Sequence, residues 1–204
     1  MAALAETVSD SDVAQRILRA AVGFFASKGF AATSTNEIVE AAGVTKPMLY
    51  YYFGSKEGLW RAVLTWYLDD ARRRQTRPLG SALSPMEELV EFVWTAFAIY
   101  RENPDFLRLL HVMLHGPKGE APGVDLSGFQ LQARALFRQA AARACRSGLA
   151  RPGSEEPLAR ALLGVVTAWT LFTPEVDGVE LTRSLAASIV RDLLRGYGAS
   201  NTDH

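Results

Sequence analysis

One cysteine, Cys145, stands in 204 residues. No intrachain disulfide can form, and the simplest expectation is a small apolar residue buried in a protein of the reducing cytosol. Excess charge of either sign is missing as well. The 22 Lys and Arg residues balance 22 Asp and Glu residues, which argues against a chain that coats nucleic acid by bulk charge and leaves room for a local basic site. No apolar run reaches membrane-spanning length, and the first residues, MAALAETVSDSD, lack a basic stretch followed by an apolar one. Neither a membrane helix nor a signal peptide is therefore expected. Alternating strand pairs, internal repeats and low-complexity tracts are absent. No nucleophile–base motif, phosphate loop or paired-carboxylate site stands out, so no enzyme is expected.

Helical periodicity is present almost throughout. With 49% hydrophobic residues the chain is globular rather than disordered, and it is long enough for one or two domains. The spacing predicts an all-α fold of about nine helices. Val13, Ile17, Ala21 and Phe24 share one face of the first, with Ser9 or Ser11 as its cap and Gly29 as its end. Arg16, Arg19 and Lys28 lie off that face and read as a solvated surface.

The most informative stretch is 33–60. Ser34-x-x-Glu37 is a capping box that opens a short helix packed through Ile38, Val39, Ala41 and Ala42. Gly43 stands where the chain must turn without a Cβ. Thr45 then caps another short helix with Pro47 in its first turn, Gly54 closes it, and Ser55 opens a long fourth helix over 55–74. Leu49 and Phe53 point inward by spacing. Four successive aromatics, Tyr50, Tyr51, Tyr52 and Phe53, cannot share one helix face, so at least two of them are exposed beside Lys46. Two short helices with a tight turn and a polar, aromatic second helix describe a helix-turn-helix whose second helix enters the major groove of DNA by its N-terminus.

With those residues in view, G-F-x-A-T-S-T-x-x-I followed by A-G-V-T-K-P-x-L-Y-Y-Y-F-G-S-K-E-G-L resembles the tetracycline-repressor (TetR) family of bacterial transcription regulators. The match is dense and correctly spaced over the N-terminal helices. The remainder is similar only in helix count and layout. One departure is Val39, four residues before the turn glycine, where the family commonly has alanine. The resemblance implies a helix-turn-helix domain over 1–54 and a helical effector-binding and dimerisation domain over 55–204, with the fourth helix as connector. Residue chemistry agrees on the roles. Thr45, Lys46 and Pro47 meet base edges: Lys46 suits guanine acceptors or phosphate, and Pro47 a thymine methyl. Tyr50 and Tyr51 carry hydroxyls toward phosphates, as the family's paired aromatics do, and Tyr52 assists. Thr35 and Lys56 clamp the backbone near two helix N-termini.

A single such helix reads few base pairs, so a homodimer on a palindromic double-stranded operator is expected. Helix 84–100 opens at Ser84-Pro85, another at Asn103-Pro104, others over 125–146, 155–172 and 179–197. The last two are apolar enough to bury two faces, which assigns Leu162, Val166, Trp169, Leu185, Ile189 and Leu193 to a dimer interface. The middle helices are rich in aromatics, and in this family that region encloses an effector pocket. Trp66, Phe92, Phe97, Tyr100, His111 and Phe129 would line it for an apolar or aromatic small molecule. His111 and His115 are one turn apart, a metal-ligand spacing, but no further ligand lies near in sequence, so no metal and no cofactor is expected. The expected protein is a cytoplasmic repressor released by its effector. The alternatives are a small-molecule-binding helical protein with vestigial DNA binding, or an enzyme using the helical pocket.

Overall fold

The computed structural model describes residues 11–76, 83–115, 122, 127–171 and 178–197. Among them are nine α-helices and no strand. In chain order these are α1 Asp12–Ala32, α2 Thr35–Ala42, α3 Lys46–Phe53, α4 Lys56–Thr76, α5 Pro85–Glu102, α6 Pro104–His115, α7 Ser127–Arg146, α8 Glu155–Leu171 and α9 Arg183–Tyr197. The all-α expectation therefore holds. The expected break at Pro78, Gly80 and Ser81, the loop 116–124 apart from Pro122, the loop residues 173–177 and Phe172 lie outside the described residues, as does the alternative cap Ser9.

Packing divides the chain into two compact units, 1–70 with 103–125 and 71–102 with 126–204. The expected functional boundary at 54/55 is not a packing boundary: α4 through Asp70, and α6, belong with the first three helices.

The first unit is built on α1. Ser11 is its N-cap, accepting the Ala14 N–H. Ile17, Leu18, Ala21 and Phe25 are fully buried along one face, as their spacing requires. Gly29 does not end the helix as expected but kinks it: φ +79° and ψ 169° interrupt the helical path, which resumes to Ala32. Thr33, 2% exposed, stabilises the kink, donating its hydroxyl to the Phe24 and Gly29 carbonyls at 3.1 and 2.7 Å. Phe25, Phe30 and Trp60 then pack together, with the Trp60 ring edge-on to both phenylalanines at 5.0 and 5.4 Å. Trp60 also donates its indole N–H to the Pro122 carbonyl at 3.2 Å. Farther along α4, Tyr67 stacks on Phe106 of α6 at 4.7 Å.

In the second unit α5, α7, α8 and α9 share one core, with Val93, Phe97, Ala141, Leu158, Ala186 and Val190 at its centre. Small residues on α7, Ala140, Ala141 and Ala144, are all buried there and let α8 approach closely. Cys145 belongs to the same core. A second capping box starts α5: the Ser84 N–H donates to Glu87, and the Glu87 N–H to the Ser84 hydroxyl, at 2.8 and 3.3 Å. Gly148, at φ +76°, ends α7 where expected. The last helix departs from expectation. It starts at Arg183 rather than 179, because Thr182 takes the cap and accepts the Leu185 N–H at 3.1 Å, while Leu181 is buried in the core.

Candidate nucleic-acid interface

The interface begins with how α2 and α3 are held. Ser34 caps α2 with both arms of its capping box formed. Glu37, the second arm, also pairs with Lys28 of α1. That hydrogen bond from Lys28, and next the Ser34 N–H, hold the Glu37 carboxyl below the usual carboxylate range. Gly43 turns the chain in the left-handed region, φ +63° and ψ 41°. Its N–H and that of Val44 take the Glu40 and Val39 carbonyls at 3.1 and 3.0 Å. The Ala42 carbonyl accepts from Arg16 of α1 at 3.0 Å. Arg16 and Lys28 are solvent-exposed in part, as their position off the apolar stripe suggested, and each also bonds α2.

α3 is anchored by Leu49, fully buried, and Phe53, 8% exposed. The opposite side of the helix is open. Tyr51 is 78% exposed and Tyr50 44% exposed. Thr45, Lys46 and Pro47 are exposed at its N-terminus. Thr45 occupies the N-cap position, but its hydroxyl makes no capping bond, unlike those of Ser11 and Ser34. α3 thus presents an uncommitted hydroxyl, an ammonium and two phenols outward, while Leu49 and Phe53 are the residues it buries.

Tyr52 is different. It is half-buried, and its hydroxyl accepts from Ser11 at 2.9 Å, tying α3 to the start of α1. Lys56 is also engaged: its ammonium donates to the Ala31 carbonyl at 3.1 Å and lies 4.6 Å over the Phe30 ring. Thr35 is half-buried in the first turn of α2. Sequence reasoning missed Arg16, Thr33 and Gly58. Only the last carried a signal, as the glycine of G-S-K-E-G-L.

The residues expected to line a pocket belong to both units. In the second, Phe92 and Phe97 are buried in the core, Phe92 edge-on to Phe137 at 4.7 Å, and Tyr100 packs against that core half-buried. In the first, Trp66 is edge-on to Tyr67 at 4.7 Å, and His111 is half-buried on α6. The side chains of Phe129 and His115 lie outside the described residues. Among the described residues no three His, Cys, Asp or Glu side chains gather as a metal site. No helix among them is long and apolar enough to cross a membrane. Of the residues assigned to a dimer interface, Leu162, Val166 and Ile189 point into the unit's own core, whereas Trp169, Leu185 and Leu193 are only half-buried against it.

Fold and site together define an all-α protein with an N-terminal helix-turn-helix. Residues 17–63 match the family model for bacterial regulatory proteins of the TetR family. Over 139 residues the chain is 34% identical to the HTH-type transcriptional repressor NicS of Pseudomonas putida, covering 60% of this chain and 64% of that one. Residues 17–63 are therefore a TetR-family helix-turn-helix segment, and the similarity to this repressor extends beyond it. The chain is also 36% identical over 93 residues to the HTH-type transcriptional regulator RutR of Escherichia coli, covering 46% of this chain and 43% of that one. These relatives are regulators of transcription rather than enzymes, and the chain spans 64% or less of their length. A solved TetR-family regulatory protein from Rhodococcus RHA1 shares the fold with a TM-score of 0.73 at 21% identity, covering 94% of this chain and 100% of that one. The ketosteroid transcriptional regulator KstR2 of Mycobacterium tuberculosis does so with a TM-score of 0.70 at 18% identity, covering 94% and 97%.

Proposed function

We propose that the chain is a cytoplasmic transcriptional repressor that binds a palindromic operator as a homodimer and is released by a small-molecule effector. One observation carries the DNA-reading part: α3 buries Leu49 and Phe53 yet leaves Tyr50 and Tyr51 exposed beside exposed Thr45, Lys46 and Pro47. Large aromatics turned to solvent beside a lysine cost a monomer burial and suit a partner with phosphates and base edges. Thr45, Lys46 and Pro47 meet base edges, Thr35 contacts the backbone, and Tyr50 and Tyr51 donate to phosphates. Lys56 spends one donor on Ala31 and keeps two for phosphate. Tyr52 acts through α1 rather than on DNA. The reader occupies 1–54, and 55–204 serves pairing and control.

Two readers must sit about 34–36 Å apart to meet successive major grooves. The paired surface is carried by α8 and α9, through Trp169, Leu185 and Leu193, which the protomer's own core leaves half-buried. Aromatics of the middle helices give the effector site an apolar character. The effector acts by binding one arrangement of the readers better than another, and DNA reciprocally weakens its binding. Selection of duplexes from a random pool tests the reading. An inverted repeat bound by a dimer is expected. Enrichment of no sequence, or a monomer by sedimentation at micromolar concentration, contradicts it.

A further inference from the structure

We infer that Arg16 is a positioning residue for operator binding, holding the helix-turn-helix turn so that α3 is aimed at the groove. The inference rests on the DNA-reading role proposed above for α3. The turn runs from Ala42, the last residue of α2, through Gly43 and Val44 to the Thr45 cap. Carbonyls at a helix C-terminus have no partner within the helix and must find one elsewhere. Here the turn itself satisfies Val39 and Glu40 through the N–H groups of Val44 and Gly43. The Ala42 carbonyl, nearest the turn, is taken by the Arg16 Nη1 at 3.0 Å. A charged donor on a terminal carbonyl is a strong form of this bond, and it opposes the negative end of the helix dipole.

Two further contacts give the clasp its direction. The Asp12 carboxylate lies 3.2 Å from the Arg16 Nε, one turn back on α1, a charge contact without hydrogen-bond geometry. Ser11, at the start of the same helix, donates to Tyr52 on α3 at 2.9 Å. Residues 11–16 therefore hold both sides of the turn, α2 through Ala42 and α3 through Tyr52. A shift of α2 against α1 must break the Arg16–Ala42 bond, and a rotation of α3 about the turn the Ser11–Tyr52 bond. The guanidinium lies against the turn itself: a Cβ on Gly43 would meet the Arg16 Nη1 at 3.5 Å, ordinary contact distance. The planar guanidinium reaches Asp12 and Ala42 at once, which a point-charge ammonium does less well.

The same guanidinium is partly exposed, so the competing role is a direct phosphate contact. Salt dependence separates the two, because a lost phosphate contact lowers the slope of log K against log salt by about one, whereas a lost positioning contact leaves it unchanged. Full-length wild type, Arg16→Met and Arg16→Lys are titrated by fluorescence anisotropy onto a duplex that wild type enriches from a random pool. The titrations run at several salt concentrations, well below the melting temperature of each protein. Arg16→Met is expected to bind roughly tenfold more weakly, the worth of one charge-assisted hydrogen bond, with unchanged slope and base preference. Arg16→Lys, which keeps one donor, falls between Met and wild type, and it carries the comparison if the Met variant does not fold. A slope lower by about one, or a lowered melting temperature with unaltered affinity, overturns the inference. So does wild-type affinity in both variants. Failure of wild type to bind any duplex at low salt overturns the DNA-reading role instead.

Discussion

A Cβ built on Gly58 lies 1.9 Å from the carbonyl oxygen of Phe53. Phe53 is the last residue of α3 and Gly58 stands in the first turn of α4. Between them Ser55 donates its N–H to the Phe53 carbonyl at 2.8 Å and accepts the Gly58 N–H on its hydroxyl at 3.0 Å. The passage from recognition helix to connector is thus folded over a missing side chain. Gly58→Ala must displace backbone, and a cost of about 1–3 kcal/mol is expected, the range for overpacking. Thermal unfolding reads the loss, and DNA affinity below the melting temperature falls with it because the end of α3 moves.

Tyr51 and Tyr52 are neighbours with opposite expected behaviour. Tyr51→Phe alters a side chain that is 78% exposed, so stability should stay within about 0.5 kcal/mol of wild type. DNA binding should weaken across all sequences without a change of preference, as loss of a phosphate contact requires. Tyr52→Phe removes the acceptor of the Ser11 hydroxyl, and about 0.5–1.5 kcal/mol of stability should go with it. Paired denaturant titrations and binding curves separate the two.

Glu37 links α1 to α2 and should show in acid. The Lys28 hydrogen bond, and then the Ser34 N–H, lower its carboxyl from the ordinary value of 4.5. A lowered folded-state value means stability that is present above 4.5 and lost as the pH falls through the folded value. Melting temperatures of wild type and Glu37→Gln should therefore differ at neutral pH and converge as the pH drops below that range. A difference independent of pH would contradict the assigned ion pair.

Tyr67 gives the opposite window. Burial is the largest cause pushing its phenol up from 10 to about 12, with the Asp105 and Asp70 charges adding and Arg19 opposing. Its neutral form is favoured by folding, so that contribution is complete below pH 10 and is lost as the pH rises toward 12. Tyr67→Phe should be less sensitive to pH between those limits than wild type, as read by melting temperature.

Much of this was legible in the sequence because local rules set it. The capping boxes at Ser34 and Ser84, the glycine turn at Gly43 and the inward Leu49 and Phe53 follow from spacing and side-chain chemistry alone. What escaped depends on partners distant in the chain. Arg16 gripping Ala42, Tyr52 held by Ser11, and Lys56 resting on Ala31 and Phe30 are contacts between helices, and no periodicity reports them. Thr33 is a polar residue just before a helix, yet it is buried and bonds the Phe24 and Gly29 carbonyls at the kink. Helical spacing carries the last helix back to 179, whereas the Thr182 cap sets its start at Arg183. Leu162, Val166 and Ile189 show a further limit: apolar spacing identifies an inward face without saying whether the inside is the protomer's own core.

The central claim is that α3 reads DNA. Its most direct test is the dissociation constant of the full-length protein for its selected duplex and for a scrambled one, followed across salt. The account predicts binding to the selected duplex that is roughly 10³-fold tighter or better, with log K falling linearly against log salt. Equal affinity for the two duplexes, or no binding to either at low salt, would contradict it.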